Sequence, residues 1–125
     1  MRRPEQELQQ AVFDHLRFRA VPGAVYWHTN NGGFLGGKRN RKGASIAGAI
    51  AKKNGVRAGV SDVLIFHNAK LFAIELKSPG GKPTAAQLEF ISDIERAGGF
   101  ACVAEGVDQA LRALEGWKLL RGARQ

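Results

Sequence analysis

Two apolar runs, residues 61–67 and 70–78, joined only by Asn68-Ala69, constrain this chain more than any other feature. Each reads as a strand, because β-branched and aromatic residues dominate and the polar residues stand at the ends. A strand with one wet face alternates. Here Val63, Leu64, Ile65 and Phe66 are consecutive, as are Leu71, Phe72, Ala73 and Ile74. Apolar side chains on both faces need a layer above and a layer below, which puts the hairpin at the centre of a covered sheet. The flanking sequence supplies those layers. Leu8, Val12 and Leu16 recur at helical spacing behind Pro4, Glu5 and Glu7, predicting a helix over 4–19 that Pro22-Gly23 ends. Ala24 to His28 reads as a strand. Ser45 to Asn54 reads as a short helix with Ile46, Ala49 and Ile50 inward, stopped by Asn54-Gly55. Thr84 to Ala97 reads as a helix with Leu88, Ile91 and Ile94 inward, Phe100 to Glu105 as a strand, and Val107 to Leu114 as a helix. This order predicts a layered α/β fold, one domain over residues 1–125.

The hairpin also does local arithmetic. Setting His67 against Lys70 carries Phe66 to Leu71, Leu64 to Ala73 and Asp62 to Glu75. Directly opposed residues hold their Cβ atoms ~4.5–5.5 Å apart, so two carboxylates stand side by side. Lys77, two residues past Glu75, shares their face. Like charges opposed in an apolar strand pair are costly and need a compensating partner. Two carboxylates with carbonyls and water suit Mg²⁺ or Mn²⁺, which bind oxygen and keep company with phosphate. Asp62, Glu75 and Lys77 are therefore candidates for metal-assisted phosphodiester hydrolysis, with the lysine on the side of the attacking water. The competing reading is a solvated polar end of two buried strands.

Charge supports a polyanionic substrate. Nineteen Lys and Arg against 11 Asp and Glu give +8, and no acid occurs between His15 and Ser61. That stretch holds Arg17, Arg19, Lys38, Arg39, Arg41, Lys42, Lys52, Lys53 and Arg57. A field this localised attracts nucleic acid. Residues 30–43 mix Gly and Asn with four of these cations and read as a basic loop. They do not match a P-loop, and no basic amphipathic helix suggests a membrane surface. The single Cys102 excludes an internal disulfide or zinc cluster and fits a reducing, cytoplasmic setting. No apolar run is long enough to span a bilayer, and the polar start is not a signal peptide.

The run Gly55-Val56-Arg57-Ala58-Gly59-Val60-Ser61-Asp62, then Ile74-Glu75-Leu76-Lys77, then Thr84-Ala85-Ala86-Gln87, resembles a PD-(D/E)XK nuclease, and more narrowly the VRR-NUC domain. The likeness is good over about residues 55–115 and extends weakly to Glu5 and the Asn31-Gly32-Gly33 segment. It implies a restriction-endonuclease-like core, a central mixed sheet flanked by helices. By this resemblance Asp62, Glu75 and the Leu76 carbonyl are metal ligands, and Lys77 is the catalytic lysine. Glu5, on the face of Gln9, is the acid of the first helix, with Glu7 the alternative. Gln87 is the helix glutamine beside the active site, although Thr84-x-x-Gln87 also reads as a capping box. The DNA contacts would be Asn31, Lys38, Arg39, Arg41, Lys42, Lys52, Lys53 and Arg57. One departure is Ser61, where the family usually has proline. Small members resemble phage junction-processing enzymes that act as homodimers on four-way DNA, implying a Mg²⁺- or Mn²⁺-dependent endonuclease of branched DNA in replication, recombination or repair. The alternatives are a flap-type nuclease and a catalytically silent DNA-binding module. His28 reads as a packed or exposed residue rather than a DNA contact, Tyr26 and Trp27 as core packing rather than base-stacking residues, and Trp117 as an anchor for the C-terminus or a dimer contact.

Overall fold

A computed structural model describes residues 4–29 and 46–122. The elements are α1 (Pro4–Arg19), β1 (Val25–Trp27), α2 (Ile46–Lys53), β2 (Val63–His67), β3 (Lys70–Lys77), α3 (Ala85–Arg96), β4 (Phe100–Glu105) and α4 (Val107–Gly116). The strands lie in the order β1-β2-β3-β4. β2 pairs antiparallel with β1 and with β3, and β4 runs parallel to β3. The sheet is therefore mixed, and the apolar hairpin occupies its two central positions. The predicted basic loop and its residues Asn31, Lys38, Arg39, Arg41 and Lys42 lie outside the described residues.

The hairpin turn is held by Asn68 and Ala69, both left-handed at φ 51° and 64°. Two consecutive left-handed residues give the type I′ turn whose twist matches the strands it joins. The register follows: His67 faces Lys70, Leu64 faces Ala73 and Val63 faces Ile74. Alternation then divides the side chains between two layers. Val63, Ile65, Phe72, Ile74, Leu76 and Ala104 face α1 and α4, meeting Leu8, Val12, Leu16, Ala110 and Leu114 in the larger core. Leu64, Ala73 and Ala101 face α3, meeting Phe90 and Ile91. The crossover through α3 makes the parallel β3–β4 pairing possible, since parallel neighbours need a long connection.

The chain beyond α4 turns back at Lys118 (φ 63°) and buries Leu119 and Leu120. The Val21 N–H donates to the Leu119 carbonyl at 2.9 Å, and the Arg121 N–H to the Arg19 carbonyl at 2.7 Å. Trp117 packs on Phe72, ring centres 5.3 Å apart, so within this chain it anchors the C-terminal segment. Burial pushes the Cys102 thiol pKa up, aided by Glu95.

Three apolar placements differ from the sequence reading. On α3, Leu88 is exposed and Phe90 is buried. Ile91 and Ile94 are compatible with either residue on the inward stripe, and the ring, with more surface to bury, takes the sheet side. On α2, Ile46, Ala49 and Ile50 are exposed and Ala51 is buried. The helix itself ends where the sequence places the stop: around left-handed Gly55 (φ 98°) the Val56 N–H donates to the Ala51 carbonyl at 2.8 Å and the Gly55 N–H to the Lys52 carbonyl at 3.0 Å. Phe66, at the outer end of β2, is 47% exposed, because α3 covers the β3–β4 half of that face.

Candidate active site

Val63↔Ile74 is the last ladder pair on the open side of the hairpin. One step further, Asp62 and Glu75 stand opposite each other, where the sequence places them. There the ladder gives way to a side chain: the Leu76 N–H donates to Asp62 Oδ2 at 2.8 Å. Neighbouring residues of a strand send their backbone polar groups to opposite edges. The Lys77 carbonyl accepts from the Gly106 N–H at 2.9 Å on the β4 side. The Leu76 carbonyl therefore turns toward Asp62, as a third oxygen for the same site.

Glu75 is 2% exposed and Lys77 9%. Lys77 Nζ lies 3.6 Å from Glu75 Oε2, while Glu75 Oε1 is buried with no hydrogen-bond partner among the described residues. Burial first, then the neighbouring Asp62 carboxylate, push the Glu75 pKa up from 4.5 to about 8, against the pull of Lys77. A buried carboxylate oxygen without a donor, beside a second carboxylate and a carbonyl, is a donor set matched to a hard divalent cation. At neutral pH the metal-free pair thus holds a proton, which a divalent cation bound there would displace.

The approach to Asp62 is held from two sides. Gly59 (φ 81°) lies so close to α3 that a Cβ would come within 2.5 Å of the Ala86 carbonyl carbon. Only glycine permits both this backbone and this contact. Next to it, Arg57 donates to Asp93 Oδ2 at 2.6 Å and lies over the Phe90 ring at 5.1 Å. The Arg57 hydrogen bond is the main reason the Asp93 pKa falls below the usual carboxylate range. From the β1 side, the His28 ring donates from Nδ1 to the Asp62 carbonyl at 2.9 Å, and Thr29 Oγ1 reaches the Ser61 carbonyl at 3.4 Å. Continuing the β1–β2 register sets Thr29 across from Asp62. His28 and Thr29 are supports that the sequence reading missed. Their signal is the β1–β2 pairing, which no short-range spacing encodes.

The remaining candidates divide. Gln87 forms the capping box: its Oε1 accepts from the Thr84 N–H at 2.8 Å, and its N–H donates to Thr84 Oγ1 at 3.1 Å. Among the described residues no third His, Cys, Asp or Glu joins the carboxylate pair, so Glu5 stands outside it. Glu5 nevertheless lies three and seven residues before buried Leu8 and Val12, on the stripe that faces the sheet. Glu7 lies off that stripe. Arg57 is engaged by Asp93, Arg17 by Asp14 at 2.6 Å and Arg19 by Glu115 at 2.8 Å. Lys52 and Lys53 are exposed in the last turn of α2.

The VRR-NUC domain family matches residues 3–108 of this chain. A solved structure described as a VRR_NUC domain protein covers 97% of this chain and 93% of its own, with a TM-score of 0.70 and 23% identity, a likeness of fold. No curated protein matches the chain. Among the described residues no helix is long and apolar enough to cross a membrane.

Proposed function

The chain belongs to the VRR-NUC domain family, whose function is of the nuclease type, and from that premise we propose that it is a metal-dependent DNA endonuclease acting through Asp62, Glu75 and Lys77. The observation that carries the reading is the facing carboxylate pair with a buried, unpartnered Glu75 oxygen and Lys77 Nζ beside it. Asp62, Glu75 and the Leu76 carbonyl would hold Mg²⁺ or Mn²⁺, with Glu5 at the outer edge of the site. When bound, the ion supplies positive charge against the negative charge that grows on the phosphate oxygens. Asp62 has a second task, since its Oδ2 accepts from Leu76 and so fixes the spacing of the strands that carry the ligands. Lys77 donates toward the phosphate and orients the attacking water. As water adds to phosphorus, the bond to the leaving oxygen breaks, giving one phosphate end and one hydroxyl end. Gln87 completes the helix start that Gly59 packs against, which makes it a positioning residue.

The substrate class we assign is branched DNA, cut by a homodimer. The basic segment supports it, as does the likeness to small junction-processing members of the family. Junction, flap, splayed-arm, duplex and single-stranded substrates are incubated with Mg²⁺ or Mn²⁺. Cleavage should favour the branched forms, EDTA should abolish it, and sedimentation should give two chains per particle. Asp62→Ala, Glu75→Ala and Lys77→Ala each lower the cleavage rate by about 10²-fold or more. Full activity in any of the three removes the proposed site.

A further inference from the structure

Among the described residues, the sheet face that carries the carboxylates is only partly covered. α3 lies over Ala73 and Ala101, but toward β1 the same face presents Val25, Trp27 and Phe66, exposed by 58%, 39% and 47%. Val25 is paired with Phe66 and Trp27 with Leu64, so these three side chains adjoin on one face. Tyr26 points the other way and meets the Phe13 ring at 6.1 Å. A single exposed apolar residue is ordinary, whereas a contiguous patch marks a contact surface.

Position and charge identify the occupant. Leu64 and Phe66 stand two and four places along β2 from Asp62, so Trp27, paired with Leu64, is offset from Asp62 by about 7 Å along the strand direction and by one strand across. The strand that carries Trp27 also falls within the acid-free segment of the sequence, whose cations include Lys52 and Lys53, exposed on α2, and Lys38, Arg39, Arg41 and Lys42 of the basic loop. An apolar protein partner would have no use for that charge. A nucleic-acid strand uses both, because phosphates take the cations and unpaired bases offer flat π-faces to aromatic rings. Bases inside a duplex are already stacked and offer no such face.

We propose that Trp27 and Phe66, flanked by Val25, form a stacking platform for unpaired bases of the strand whose phosphate lies at Asp62 and Glu75. The platform rests on the nuclease reading and narrows its substrate to DNA that is single-stranded or unpaired next to the cut. It makes branch points and overhangs the preferred sites for a structural reason.

The test is binding in EDTA, where cleavage plays no part. In a Trp117→Phe background Trp27 is the sole tryptophan. A short oligothymidylate quenches its emission, and a blunt duplex of equal length quenches it far less. In the otherwise unaltered chain, Trp27→Ala and Phe66→Ala each reduce the preference for oligothymidylate over duplex by about fivefold or more, and Trp27→Phe restores most of it. Melting curves of each variant serve as the check that it is folded. Equal quenching by both DNAs, or an unchanged preference in both alanine variants, overturns the platform. So does a Trp27→Ala chain that turns from dimer to monomer with its oligothymidylate affinity per chain intact, which gives the face to a second copy. Quenching without cleavage under any divalent cation removes the nuclease reading and leaves the platform standing. Cleavage without quenching does the reverse.

Discussion

Glu75 carries the pH behaviour of the site. Below about pH 4.5 its carboxyl holds a proton in the folded and the unfolded chain, and above about pH 8 it holds one in neither. Between those values only the folded chain keeps the proton. The stabilisation is thus complete below 4.5 and is lost as pH rises through 8. Melting temperatures of the metal-free protein, taken in EDTA, should fall across this window, and Glu75→Gln should flatten the fall. A slope unchanged by Glu75→Gln would assign it to another group. Ser61 gives a second expectation. It is fully buried, and its hydroxyl has no partner among the described residues. Removing an orphaned buried hydroxyl relieves its desolvation cost, so Ser61→Ala should gain roughly 1 kcal/mol in denaturant unfolding. Neither proposed carboxylate ligand changes, so cleavage should stay within a few-fold.

At the scale of elements, the β2–β3 hairpin sets the geometry and its turn is suboptimal. Ala69 holds φ 64°, a conformation that costs a residue with a Cβ on the order of 1 kcal/mol and glycine almost nothing. Ala69→Gly should stabilise the fold by roughly that amount without moving Glu75, as read by urea unfolding and by retained cleavage. An insertion at the same turn would act differently, because slipping the register by one residue turns Glu75 to the opposite face. Legibility in the sequence follows the same division. The facing of Asp62 and Glu75 could be read because turn and pleat are short-range rules and the pair is closed by one turn. The layer beneath α1 could be read from Leu8, Val12 and Leu16. His28 and Thr29 could not, because their place beside Asp62 depends on pairing with a distant strand. Leu88 and the α2 isoleucines escape the sequence for a related reason. Helical spacing fixes which residues share a stripe, and packing against the rest of the fold decides which stripe turns inward.

For the molecule as a whole, the excess charge is narrower than the sequence count implies. Arg17, Arg19 and Arg57 are each tied to a carboxylate, and Asp93, Asp14 and Glu115 all lie outside the acid-free stretch. Among the described residues of that stretch, Lys52 and Lys53 remain for DNA, while Lys38, Arg39, Arg41 and Lys42 lie outside the described residues. Neutralising those last four should weaken DNA binding and reduce the slope of log affinity against log salt by about 0.7–0.9 for each phosphate that is no longer neutralised. Arg57→Gln should chiefly lower the melting temperature, since it releases the loop that enters Asp62. A slope unchanged by the fourfold variant would separate the charge from binding. One consequence of the hairpin concerns the order in which the molecule assembles. Asp62 and Leu76 are 14 residues apart, and closing so short a segment costs little chain entropy. Contacts from α1, β1 and the crossover through α3 span far longer stretches of chain. The carboxylate pair is thus set by a local segment of the fold, and it can take shape before the layers that shield it are in place.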